Sequence, residues 1–173
     1  GGDAYVFFHL FPVMIAWTAM IMDLRTARID NGWILFSMAV GAVCCIMEKG
    51  IAGMFFYAAG SSIPLILIIL FGFGMLGAGD IKLFCALGGV MGTAGILKCI
   101  LVSFILGAFI SVLILMFSRS FCERILYFIY YIGQTVRERK VIPYRRKDIS
   151  ASENFHFTVP IFLSVVLYAG GVY

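Results

Sequence analysis

Long apolar runs separated by short polar or glycine-rich breaks organise this chain from end to end. The runs cover Ala4 to Met22, Trp33 to Met47, Ile51 to Phe71, Ile81 to about Ile96, Leu97 to Phe117, and Val159 to the C-terminus. About 17–25 consecutive apolar residues are enough to cross a bilayer as a helix. The second and fourth runs are at the short end of that range. Each run is a solid apolar block, not a period-two alternation, so helices are expected and a barrel is not. The pattern therefore predicts an all-α polytopic membrane protein with six transmembrane helices in a single domain, residues 1–173. The tight Glu48-Lys49-Gly50 turn predicts that the second and third spans form an antiparallel hairpin.

One long polar insertion interrupts this order, from Ser118 to Phe157. Its first half, Phe121 to Val136, mixes Tyr127, Phe128, Tyr130 and Tyr131 with Glu123 and Arg124. That mixture predicts an amphipathic helix on the membrane surface. The second half, Arg137 to Asp148, is basic and reads as a solvated loop near anionic headgroups.

Composition agrees with a membrane setting. The 173 residues are 62% hydrophobic and 13% charged, whereas a soluble domain is nearer half apolar and a quarter charged. The net charge of +4 does not point to nucleic acid, because the basic residues sit in the breaks between spans. With six spans, eleven Lys and Arg fall on one side and only Lys49 and Lys98 on the other. The positive-inside rule makes the eleven-residue side cytoplasmic. Five cysteines with no C-x-x-C pair argue against a zinc site or a disulfide framework. The N-terminal stretch has no basic region or clear cleavage site and does not read as a signal peptide.

Two carboxylates stand out against this background. Asp23 closes the first apolar run, and Asp80 ends Gly77-Ala78-Gly79-Asp80 at the start of the fourth. A carboxylate within a membrane helix costs roughly 2.5–3.5 kcal/mol at the centre and less near an interface, so each is a functional candidate. The charge count places both on the cytoplasmic side. Two carboxylates held about 3–6 Å apart titrate as a coupled pair, one keeping its proton. The charged member can take a proton from water while the other polarises a peptide carbonyl, which is the chemistry of aspartic proteases. Gly77 and Gly79 have backbone freedom and could let a substrate chain approach closely. Lys82 reads as a snorkelling residue with a possible influence on the charge of Asp80. Asp30 reads as a surface residue, and Arg25 and Arg28 as orientation signals. His9 and His156 are isolated in sequence and carry no expected role. No Ser–His–Asp or H-E-x-x-H arrangement is present.

Gly77-Ala78-Gly79-Asp80-Ile81-Lys82-Leu83-Phe84-Cys85-Ala86-Leu87-Gly88 closely resembles a signature of the type IV prepilin peptidases, which are GxGD intramembrane aspartic proteases. Asp23-Leu24-Arg25-Thr26-Ala27-Arg28-Ile29-Asp30-Asn31 resembles the family's other signature, with Asp30 where Pro is usual, a change expected to loosen the turn. Phe157-Thr158-Val159-Pro160 is similar to the Pro-containing start of the family's last span.

The resemblance implies that Asp23 and Asp80 are the catalytic pair. It implies a prepilin or pseudopilin substrate, cleaved at the cytoplasmic face of a prokaryotic plasma membrane. It also implies no cofactor. Many bacterial members carry a cytosolic segment with paired C-x-x-C motifs that N-methylates the new terminus. No such motif is found here, so peptidase activity without methylation or zinc is expected. The rival reading is a transporter or ion-conducting subunit that uses the same aspartates as proton or cation sites, although no internal repeat is evident. An inactive pilus-assembly factor would require the loss of one aspartate, and both are present. An archaeal preflagellin-type peptidase is a close variant of the favoured reading.

Overall fold

A computed structural model describes residues 2–73, 76–117 and 156–173. The described residues are helical: α1 (Gly2–Thr26), α2 (Asn31–Lys49), α3 (Ile51–Ser62), a 3₁₀ turn (Ile63–Leu67), α4 (Ile68–Gly72), α5 (Ala78–Phe117) and α6 (Thr158–Ala169). The expected amphipathic helix at 121–136 and the basic loop at 137–148 lie outside the described residues. The chain divides into two compact units, residues 1–107 with 156–173, and residues 108–155. The core and the site described below belong to the first.

Three segments are long and apolar enough to cross a membrane: Asn31–Lys49, Ile51–Gly72 and Ala78–Ile114. The outer face supports that setting. Trp17, Leu35, Phe36, Met47, Phe55, Ile66 and Leu101 are all exposed. Apolar surface on this scale is normal against lipid and unusual against water.

Small residues let the inner faces approach. Gly53 of α3 sits against the backbone carbonyl of Cys45 in α2, which closes the predicted α2–α3 hairpin. Gly60 and Gly88 meet backbone to backbone where α3 crosses α5. Close approach of this kind substitutes for the hydrophobic drive that lipid removes. Pro64 explains part of the geometry. It has no N–H to offer the Gly60 carbonyl four residues earlier, so α3 tightens into the 3₁₀ turn and that carbonyl is left facing Gly88.

The predicted boundary between the fourth and fifth spans, at Ile96–Leu97, is displaced. Within α5 the backbone breaks at Gly92, with φ 74° and ψ 177°. This left-handed value suits glycine. The break reverses the chain. Phe84 and Phe104 would lie about 30 Å apart on a straight helix, yet their rings pack on Phe157 at centroid distances of 6.5 and 5.3 Å. Apolar sequence on both sides hid this turn, since only Thr93 and no charged residue stands beside it. The first arm, Ala78 to Met91, is then short for a bilayer, as the sequence indicated. α6 ends at Ala169 after 12 residues, a rise of about 18 Å, well before the C-terminus.

The main core joins three elements: Ile15, Ala16 and Ala19 of α1; Leu83, Phe84, Leu87, Ile96 and Cys99 of the two α5 arms; and Ile161 and Val165 of α6. α1 and α6 run antiparallel. His9 stacks on Tyr168 at 5.4 Å near one end, and Asp23 meets Thr158 at the other. Buried hydroxyls in this core are satisfied by backbone: Ser103 and Ser164 both donate to the Cys99 carbonyl, at 2.7 and 2.9 Å. Cys45, Cys85 and Cys99 are buried free thiols.

Candidate active site

Three helix ends build the site. Asp23 lies in the last turn of α1, Asp80 in the first turn of α5, and His156 and Thr158 at the start of α6. The aspartates are 57 residues apart in sequence, yet Asp80 is within electrostatic range of Asp23 and of His156. Both carboxylates are half-buried.

Asp23 is held from α6. Thr158 Oγ1 donates to its Oδ2 at 2.8 Å, and His156 Nδ1 lies 2.9 Å from the same oxygen. The Asp23 and His156 side chains are 16% and 21% exposed, so the contact is sheltered but reachable by water. Position on the helices matters here. The last turn of α1 is the negative end of a helix dipole and opposes a carboxylate by roughly 0.3–1 kcal/mol. Hydrogen bonds to a charged group contribute about 1.5–3 kcal/mol each, so the α6 contacts outweigh it.

His156, isolated in sequence, is brought to the site by the fold. It stands 133 residues from Asp23, beyond the reach of any local pattern. The adjacent Phe157-Thr158-Val159-Pro160 motif was the available signal, since it placed the start of the last helix.

Asp80 is held by its own chain. Its carboxylate accepts the backbone N–H of Gly77, while the Ile81 N–H bonds the Gly77 carbonyl at 3.4 Å. The acidic side chain, third in the helix, returns to the N–H before the helix as in one half of a capping box, while Gly77 has no side chain to supply the other half. Gly77 is needed for space, because a Cβ there would sit 3.0 Å from Asp80 Oδ2. Neither Gly77 nor Gly79 takes a positive φ, so the expected backbone freedom is not what they supply. Gly79 instead lies against Ile29, at ordinary contact distance for an added Cβ.

The turn between α1 and α2 is well closed. Asp30, expected to loosen it, caps α2: its Oδ1 accepts the Gly32 N–H at 3.1 Å. Asp supplies through its side chain the rigidity that Pro would supply through its ring. Lys82 is exposed and donates to Asn31 Oδ1 at 3.0 Å, tying α5 to the start of α2. Asn31 and Lys82 also stand on the lining of an otherwise apolar cavity of about 620 Å³, with Ile34, Met38, Leu65, Ala78, Ile81 and others. Ala78, Ile81, Lys82 and Cys85 give this cavity one face of the first turns of α5.

The type IV leader peptidase family model matches residues 10–112. The chain belongs to that family. No curated protein and no solved structure matches it. The matched range includes both aspartates of this leader peptidase and ends before α6. The family is one of peptidases, and with its long apolar helices this leader peptidase is a membrane protein. The contacts that α6 makes with Asp23 lie outside the matched range and are visible only in the fold.

Proposed function

We propose that this leader peptidase is an intramembrane aspartic endopeptidase that removes the leader of a type IV prepilin or pseudopilin. The observation that carries the proposal is that Asp80 stands within electrostatic range of Asp23, both half-buried at helix ends. One carboxylate takes a proton from water, and the resulting hydroxide adds to the scissile carbonyl. The other, protonated, carboxyl gives its proton to the carbonyl oxygen, forming a gem-diol. On collapse the C–N bond breaks. The amine takes the proton held by the first aspartate, and a gem-diol hydroxyl returns one to the second. One water is consumed and the pair is restored, with no cofactor required.

The cavity against the first turns of α5 supports an apolar substrate segment, since apart from Asn31 and Lys82 its walls are apolar. The two arms of α5 act as the fourth and fifth of six spans. The excess of Lys and Arg on one side sets the site toward the cytoplasm of a prokaryotic plasma membrane.

A cleavage assay tests this. Purified protein in detergent or liposomes is given a prepilin with an intact leader, alongside Asp23→Asn and Asp80→Asn. Wild type is expected to cut at the leader boundary, while both variants stay folded and inactive. Substantial activity in either variant would refute the pair. Failure of folded wild type on a panel of pilin-like substrates would turn attention to ion flux.

A further inference from the structure

All hydrogen bonds of Asp23 to described side chains go to a single oxygen, Oδ2. A carboxylate free to rotate presents its oxygens interchangeably, but one tied twice through the same atom does not. The two anchors differ in setting. Thr158 is fully buried, whereas His156 is partly open to water. Between them in sequence, Phe157 packs against Phe84 and Phe104 from the two arms of α5. The ring therefore locks the start of α6 in place and sets both donors at once. Asp80, whose electrostatic surroundings include Asp23 and His156, has no comparable contact from α6.

Resting on the aspartic peptidase reading above, we propose that His156 and Thr158 are positioning residues that pin Oδ2 of Asp23 and turn its Oδ1 toward the reacting water, making Asp23 the base of the pair. Asp80 is then the member that hands its proton to the carbonyl oxygen. The imidazole serves this role with its Nδ1 proton in place, donating to the carboxylate as the Thr158 hydroxyl does. Neither residue touches the reacting atoms. Each acts through the orientation of Asp23, and small displacements of a reacting group are costly.

The test uses the full chain in detergent and a prepilin with its leader, with kcat and KM measured separately. His156→Ala and Thr158→Val are expected to lower kcat by roughly 10–100-fold, with KM changed less than about twofold because substrate contacts are untouched. Thr158→Ser and His156→Asn keep a donor at the same place and should recover most of the rate. Thermal unfolding of each variant checks folding. Wild-type kcat in folded His156→Ala and Thr158→Val would overturn the proposal and leave the aspartic reading intact. Equal losses in Thr158→Ser and Thr158→Val that follow thermal stability would also overturn it, marking a structural contact only. Activity in Asp23→Asn or Asp80→Asn would instead refute the reading on which it rests.

Discussion

Replacing Gly88 with alanine tests the crossing that holds the Asp80 arm in place. A Cβ on Gly88 falls on the carbonyl oxygen of Gly60, 3.0 Å from its carbonyl carbon and 3.2 Å from Ile96 Cγ1. Ordinary carbon–oxygen contacts begin near about 3.3 Å, and the overlap is with backbone, which cannot rotate aside. α3 and the first arm of α5 must therefore separate by about 1 Å. Overpacking of this kind costs about 1–3 kcal/mol, and the backbone partner puts Gly88→Ala toward the upper end. The shift also reaches the site. Asp80 lies eight residues earlier on the same arm, about 12 Å away, so the arm carries it along. A displacement near 1 Å can cost about 10²-fold in rate. The assay pairs thermal unfolding in detergent with prepilin cleavage. Gly72→Ala is the control, because no atom of the described residues lies within 4 Å of a Cβ there, and it should leave both quantities near wild type. If Gly88→Ala matched Gly72→Ala in both, the tight crossing and its role in placing Asp80 would be refuted.

The other expectations concern the two loops that feed the site. Gly77→Ala should reduce cleavage far more than stability, since its methyl group presses on Asp80 Oδ2; comparable losses in thermal unfolding and rate would contradict this. Asp30→Ala removes the α2 cap and should cost about 0.5–2 kcal/mol, read as lower thermal stability, while Asp30→Asn should retain most of it. Ala27 ends α1 with φ 51°, a left-handed conformation costing an L-residue roughly 1–2 kcal/mol. Ala27→Gly should therefore raise stability without loss of cleavage, and a fall in the unfolding temperature would count against strain at that position.

Much of the architecture was legible before any coordinates. Apolar blocks of helical length follow directly from the absence of water in the bilayer, which forces each backbone polar group to pair within its own segment. For the same reason Asp23 and Asp80 stood out by their cost alone, and the capping geometry of Asp80 is local to Gly77–Ile81. The order of the helices and the hairpin at Gly50 needed only chain connectivity. Three features waited for the tertiary structure. The reversal at Gly92 sits in largely apolar, glycine-rich sequence, where a glycine turn and a glycine inside a helix look alike; packing on Phe157 distinguishes them. The Gly60–Gly88 crossing joins two glycines that neither periodicity nor charge connects. Above all, His156 and Thr158 reach Asp23 because α1 and α6 run antiparallel, and contact across 133 residues is a property of how helices pack, not of any stretch of chain. Local sequence specifies which segments are helical and where charge is expensive; only packing decides which of those charges meet and which oxygen each donor takes.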